Sequence, residues 1–492
     1  MQNLHHGLLF IDETLESTFG IDTTLDLKLD ALLPEGTTEF LRVRPTKEGL
    51  LLRRELFSAL LRDRENAKAA INSLRELMLD AQEAFEALDS AVCDNAKYYI
   101  FSEFTTRMTS LYRAAAVPKP YGKLYGRFSG YFEAQISDTR FSELCRRLET
   151  VNEAKQRIGA LDLDADGDRI KLSRQKQGTM LRKVLDCIEK YGITVTEKTQ
   201  KPLVIQKAII DATAKLYPVE FAEFTAFYND FSDMFTPNIF ESIPQITLVL
   251  GIMDLVERAE AAGVPYCFPE LSSAKEIKLY DVYDVALLLK EGTKIVPNDV
   301  YFNSKEPFFY LTGANGGGKT TYLRALGNAM TLFLFGAPVF CRAGEACILD
   351  SIHTHFPKDE RFEGSGRFAD EQARVNEILS ACIDSEGRGN SLILLNETYS
   401  TTNEEKATVC TSELAHTLYE SGNFGLYITH QHGVDEKTVP FLGVLVDESD
   451  RNRRTYRIER RRLNNRSFAA DILIKYGITR DGLKDILLKQ ES

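Results

Sequence analysis

The chain has 492 residues, a formal net charge of −12, 43% hydrophobic residues and 27% charged ones. Such proportions belong to an ordinary folded protein of about two to four domains, and they exclude a globally basic nucleic-acid binder while leaving room for a local basic channel. No apolar run is expected to reach the roughly 18 residues that a membrane span needs. The first residues lack the basic-then-apolar order of a secretion signal, and the 8 cysteines are scattered without a C-x-x-C pair, so reduced thiols in a cytoplasmic protein are expected rather than zinc or disulfides.

Residues 1–275 read as a largely helical region. Apolar residues recur at three- and four-residue spacing, as in Leu60, Leu61, Ala67, Ala70, Ile71, Leu74, Leu77 and Met78, with charged residues on the other faces. Pro118, Pro120 and Gly122 predict a loop between two helical sections. Farther on, Asp162-Leu163-Asp164-Ala165-Asp166-Gly167-Asp168 opens like a calcium-binding loop, but its twelfth position is Ser173 and not Glu, so an acidic turn is expected. A second helical section is predicted from about Pro202 to Ala262, stopped by Gly263 and Pro265.

From about residue 276 short apolar runs alternate with helical stretches, the order of a parallel α/β sheet. The first run, Phe308-Phe309-Tyr310-Leu311, leads into Gly313-Ala314-Asn315-Gly316-Gly317-Gly318-Lys319-Thr320, which satisfies the P-loop pattern G-x-x-x-x-G-K-[ST] at every fixed position. A helix is predicted from Lys319 to Met330. Glycines let backbone N–H groups turn inward around a phosphate, and the helix N-terminus adds its partial positive charge. ATP is therefore the expected cofactor, held by Gly313 through Thr321. Lys319 is expected to reach the β- and γ-phosphates, and the Thr320 hydroxyl to ligate Mg²⁺.

The run Leu392-Ile393-Leu394-Leu395 ends in Asn396-Glu397, the shape of a Walker B strand with Asn in place of the metal-site acid. An Asn carbonyl can accept a hydrogen bond from a Mg²⁺-bound water but brings no charge, so Asn396 is a weak second metal ligand and Glu397 the candidate general base. A third strand, Leu426-Tyr427-Ile428, delivers Thr429 and His430 to the carboxyl edge of the sheet, where His430 can sense the γ-phosphate. Residues 451–466 hold eight arginines around Tyr456 and Ile458. They predict a strand with a basic face that meets acidic residues of a dimer partner or phosphate backbone.

These motifs together resemble the MutS family of DNA mismatch-repair ATPases. The likeness rests on Leu311 through Arg324, Gly336-Ala337-Pro338-Val339 as the next strand entry, and Phe368-Ala369-Asp370-Glu371 as the Phe of the signature loop followed by Glu on a helix. It continues in Asn396-Glu397 for Asp-Glu, Thr429-His430 for Thr-His, and Arg466 through Leu473 for a dimerisation helix. It covers about residues 300–480 and extends faintly through 203–270, where Ala259-Glu260-Ala261-Ala262-Gly263 and Phe268-Pro269-Glu270-Leu271 resemble the end of a lever helix. The resemblance implies a mixed fold: an α-helical N-terminal core and lever region (1–275, with 100–200 a reduced clamp), an α/β P-loop ATPase domain of ABC type (276–462), and a helical dimerisation segment (463–492). It also implies a homodimer with head-to-tail ATP sites, each completed in trans by the partner's signature loop at Ser365, Gly366 and Arg367.

The sequence departs from the family in further places. Gly366-Arg367 stands for the usual Ser-Thr, and Tyr399-Ser400-Thr401-Thr402 for Gly-Arg-Gly-Thr. No counterpart of the mismatch-reading domain, with its Phe-x-Glu wedge, or of a C-terminal nuclease-like appendage is recognisable. The expected function is an ATP-dependent DNA-binding protein whose binding and slow hydrolysis of Mg·ATP drive a dimer clamp on mismatched or branched duplex through backbone contacts, without a membrane partner. The alternative is a nucleotide-dependent dimerisation switch, or an ATPase acting on a protein partner.

Overall fold

In the computed structural model, residues 21–42, 46–158, 161–166, 169–174, 202–290, 295–356, 367–399, 403–431, 433–434, 437–446 and 454–460 are described. The fold is mixed helix and sheet. Among the described residues, 63–246 form one compact unit, and 21–62 with 247–460 form another.

The first unit is helical because its apolar stripes demand it. Along Arg64–Asp89 the buried positions Ala67, Ile71, Leu74, Met78, Ala81, Ala84 and Leu88 follow three- and four-residue steps. The helix Asp94–Ala115 ends before the Pro118–Gly122 loop, and Gly122–Ile136 begins after it, as the prolines predict. Aromatic rings fill the interior: Phe101 meets Phe227 at 5.6 Å between centroids, and Tyr112 meets Phe132 edge-on at 5.1 Å. The acidic segment is not a turn. Leu161–Asp166 is a strand paired antiparallel with Arg169–Arg174, so most of its aspartates lie in a hairpin arm.

The section predicted from Pro202 to Ala262 is three helices, Pro202–Leu216, Pro218–Phe231 and Ser242–Ala261. Pro218 occupies the first turn of the second helix, where its missing N–H costs nothing, and Pro237 opens the short 3-10 turn before the third. The stretch Pro237–Ala261 is long and apolar enough to cross a membrane by length and composition, contrary to the expectation of no such run. However, 72% of its apolar window is buried inside the molecule, as in the core helix of a folded domain.

In the second unit a six-stranded sheet carries β1 (Phe308–Thr312), β2 (Ile352–His355), β3 (Leu392–Asn396), β4 (Phe424–Ile428), β5 (Phe441–Val446) and β6 (Arg454–Glu459). Their order is β6-β5-β1-β4-β3-β2, with β6 alone antiparallel to its neighbour. Every residue of β1, β3 and β4 is buried, which is why these strands read as unbroken apolar runs. Helices α1 (Lys319–Phe335), α2 (Arg367–Cys382) and α3 (Glu404–Glu420) connect them. Val339 does not enter a strand: it makes an isolated antiparallel bridge to Cys267, and the next strand begins at Ala343 in a separate four-stranded sheet.

Register decides where the site forms. Ile428 lies opposite both Leu311 and Asn396, so β1, β4 and β3 end together. The residues that follow them (Gly313, Thr429-His430 and Glu397) emerge along one carboxyl edge, the position at which open α/β sheets bind ligands.

Candidate nucleotide site

The loop after β1 wraps back on itself before α1. Gly313, Gly316 and Gly318 all have positive φ, and a Cβ on Gly313 would lie 2.9 Å from the Val444 side chain of β5. Only glycine lets β5 close over the loop at that point. The Lys319 ammonium sits inside the turn, donating to the carbonyls of Gly313 (2.8 Å) and Ala314 (3.2 Å) and to Asn315 Oδ1 (3.4 Å). Burial lowers the Lys319 pKa to about 8; the Glu397 carboxylate opposes that shift and the Arg454 guanidinium adds to it. Thr320 and Thr321 are half-buried in the first turn of α1.

Glu397 leaves β3 with φ 54°, a left-handed conformation uncommon for a side chain of its size. Its N–H donates to the Ile428 carbonyl at 3.0 Å, holding it to the end of β4. Its Oε1 lies 3.1 Å from His430 Nε2, and both side chains keep more than a third of their surface exposed. The hydrogen bond to His430 and the nearby Lys319 charge hold the carboxyl below its ordinary range against the opposing effect of burial, so Glu397 is an anion. Thus the structure brings together three residues that are 78 and 33 apart in sequence: Lys319, Glu397 and His430.

Asn396 is buried at the end of β3, and its Oδ1 has no hydrogen-bond partner among the described residues. An unpaired acceptor in a buried position costs about 1–3 kcal/mol, so the side chain is left needing a donor. Ser365 and Gly366 lie outside the described residues, and of Arg367 only the backbone, as the first residue of α2, is described. Phe368 through Glu371 are in the first turns of that helix. The segment 463–492 also lies outside the described residues.

Sequence reasoning missed a cavity of about 380 Å³ beside the end of the loop, lined among others by Gly318, Thr321, Tyr322, Asn298 and Tyr456. Alternation predicted that Tyr456 and Ile458 would share the inner face of β6. Instead Tyr456 has φ 59° and is 44% exposed. Asn298 holds this kink from both sides: its Nδ2 donates to the Tyr456 carbonyl and its Oδ1 accepts from the Ile458 N–H, each at 2.9 Å. The only sequence signal was an aromatic residue inside a basic strand. Arg457 of that strand donates to the Pro297 carbonyl, and Arg460, just past its end, pairs with Glu306.

The model of MutS domain V matches residues 309–452, which span the loop, β3, His430 and β5. The chain is 30% identical over 181 residues to DNA mismatch repair protein spellchecker 1 of Drosophila melanogaster, covering 36% of this chain and 19% of that protein. It is 32% identical over 152 residues to DNA mismatch repair protein MutS of Prochlorococcus marinus, covering 30% and 16%. It is 31% identical over 134 residues to DNA-binding protein MutS2 of Pyrococcus furiosus, covering 27% and 23%. The matched stretch therefore spans less than a quarter of each of these relatives.

Proposed function

The chain belongs to the MutS family through its domain V segment, and from that premise we propose that it binds Mg·ATP at residues 313–321 and hydrolyses it slowly, with nucleotide state setting its grip on DNA. One observation carries the reading: a buried Lys319 inside a complete phosphate loop, electrostatically joined to an ionised Glu397 that His430 orients. The loop carbonyls that hold Lys319 would exchange it for the β- and γ-phosphates, and the cavity under Tyr456 would take the nucleoside end. Glu397 would align a water for in-line attack on the γ-phosphorus. The P–O bond to the β-phosphate breaks, and ADP and phosphate leave. With its pKa held low, Glu397 orients this water more than it strips it of a proton. His430 would hold Glu397 until a γ-phosphate competes for its Nε2.

Mg²⁺, when bound, neutralises charge on the phosphate oxygens. Thr320 and Asn396 would hold it, and the unpaired Asn396 Oδ1 suits a metal-bound water. An uncharged ligand at that place is the reason for slow turnover. Closure in trans would use Ser365, Gly366 and Arg367 of a second copy, and DNA, as mismatched or branched duplex, would be held through its phosphates.

The test is steady-state ATP hydrolysis with and without duplex or branched DNA, with Lys319→Ala as the blank. Turnover above the blank that DNA stimulates, and that weakens steeply with salt, supports the reading; turnover at the blank with ATP still bound sinks hydrolysis. The neutral Asn396 favours a second reading, a nucleotide-dependent dimerisation switch or a protein-directed ATPase. A flat salt response with DNA would favour that one.

A further inference from the structure

The three residues after β3 form a turn that no glycine relieves. Glu397 has φ 54° and Tyr399 has φ 68°, both costly for side chains of this size. Such a turn persists only if its surroundings fix it, and the surroundings are specific. The Tyr427 hydroxyl donates to the Thr398 carbonyl at 2.8 Å, and the Thr398 hydroxyl lies 3.0 Å from His355 Nδ1 on β2. The Tyr399 N–H donates to Glu371 Oε2 on α2 at 3.1 Å. The Tyr399 ring is buried in one apolar cluster with Val375 and Ile378 of the same helix. Thus α2 grips Tyr399 by backbone and ring.

We propose that Glu371 is a positioning residue for hydrolysis: by accepting the Tyr399 N–H it locks the Glu397–Tyr399 turn to α2 and so aims the Glu397 carboxylate. The inference rests on Glu397 acting on water, as proposed above. Two features separate it from ordinary packing. The contact is one charge-assisted hydrogen bond to a backbone N–H, which is stronger than a neutral one and directional. It is also made two residues beyond the reacting carboxylate, so a loss of aim falls on the chemical step while the phosphate loop stays intact.

The experiment compares Glu371→Ala and Glu371→Gln for ATP turnover, KM and amide exchange of the peptide spanning Glu397 to Tyr399. The Gln amide keeps an acceptor without the charge. In Glu371→Ala, kcat should fall about tenfold to hundredfold, the scale on which small misplacements act, while KM stays within about twofold. Exchange at Tyr399 should speed up by about tenfold, the loss of one hydrogen bond. Glu371→Gln should recover most of kcat and protection. If Glu371→Ala does not fold, Glu371→Met fills the volume without an acceptor and takes its place. Wild-type kcat in the acceptor-less variant, or Glu371→Gln as impaired as Glu371→Ala, overturns the proposal. If the wild-type protein hydrolyses no ATP above the Lys319→Ala blank, the hydrolysis reading has failed. Exchange then decides the clamp: acceleration confined to the acceptor-less variant keeps it, and unchanged protection overturns it.

Discussion

The helical unit and the sheet unit differ in where they keep charge and backbone strain. In the helical unit charge stays outside: Arg140 with Asp233 and Arg157 with Glu223 are solvent-facing pairs, worth little to stability, while Phe101, Phe224 and Phe227 fill the interior. In the sheet unit Lys319 is 6% exposed, and Asn396 Oδ1 and Arg454 Nη1 are buried without hydrogen-bond partners among the described residues. All five described non-glycine residues with positive φ (Lys28, Asp281, Glu397, Tyr399 and Tyr456) belong to this unit, and three of them lie along the nucleotide edge. Backbone strain costs stability, and a fold keeps it where a ligand or a reaction makes use of it. The difference marks the helical unit as a body held by packing and the sheet unit as one that gives up stability for chemistry.

The comparison breaks most sharply at Phe224, which is wholly buried against Phe221 and Tyr99. Phe224→Ala should lower unfolding free energy by about 3–5 kcal/mol, read by denaturant titration, while the folded fraction binds ATP as before. If ATP affinity fell in step, the helical unit would not be a packing body alone. Glu397→Gln is the converse. It removes the charge that orients water, and with it an anion that His430 and Lys319 hold below its ordinary pKa, so turnover should drop about hundredfold or more while stability holds or falls slightly. Single-turnover kinetics and a melting curve on one preparation check both halves.

Much of this contrast was legible in the sequence, for physical reasons. The phosphate loop is a local device whose residues are adjacent in the chain, and β1, β3 and β4 are buried on both faces, so continuous apolar runs betray them. The meeting of Glu397 and His430 was readable only as two strand ends, because their contact depends on the register of β4 against β3. The Tyr456 kink was not readable at all. It is imposed by Asn298, 158 residues away, and alternation alone points the ring to the wrong face. The clamp by Glu371 was equally hidden, since helix and turn are 28 residues apart and meet through one backbone N–H.

Lys319 gives the comparison a pH axis. Its pKa is about 8, depressed chiefly by burial, so the ammonium is present below that pH and lost above it. A triphosphate needs the ammonium, so ATP affinity should be flat below about pH 8 and then fall by about tenfold per pH unit until the lysine of the bound complex itself titrates. Isothermal titration at pH 7, 8 and 9 checks the slope. A flat profile would mean that the phosphates are held by backbone N–H groups with little help from the lysine.

Asn396→Asp gives the smallest effect and sharpens the comparison most, because it moves stability and chemistry in opposite directions. The position is 8% exposed at the end of β3, and the wild-type side chain leaves its Oδ1 unpaired. An aspartate there adds a negative charge to a buried place whose nearest described strand neighbour across the edge, Ile428, offers no counter-charge. Without metal the variant should therefore melt below the wild type, since a buried unpaired carboxylate costs more than a buried unpaired amide. With Mg²⁺ and ATP that same charge becomes a metal ligand, and turnover should rise several-fold, up to about tenfold, through better neutralisation of the phosphate oxygens. Adding Mg²⁺·ATP should thus raise the melting temperature of the variant by more than that of the wild type, because the ligand cancels a larger cost in the variant. If Asn396→Asp turned over at the wild-type rate and its melting temperature ignored Mg²⁺, residue 396 would lie outside the metal's reach. The slow step would then have to be sought in the turn that follows it.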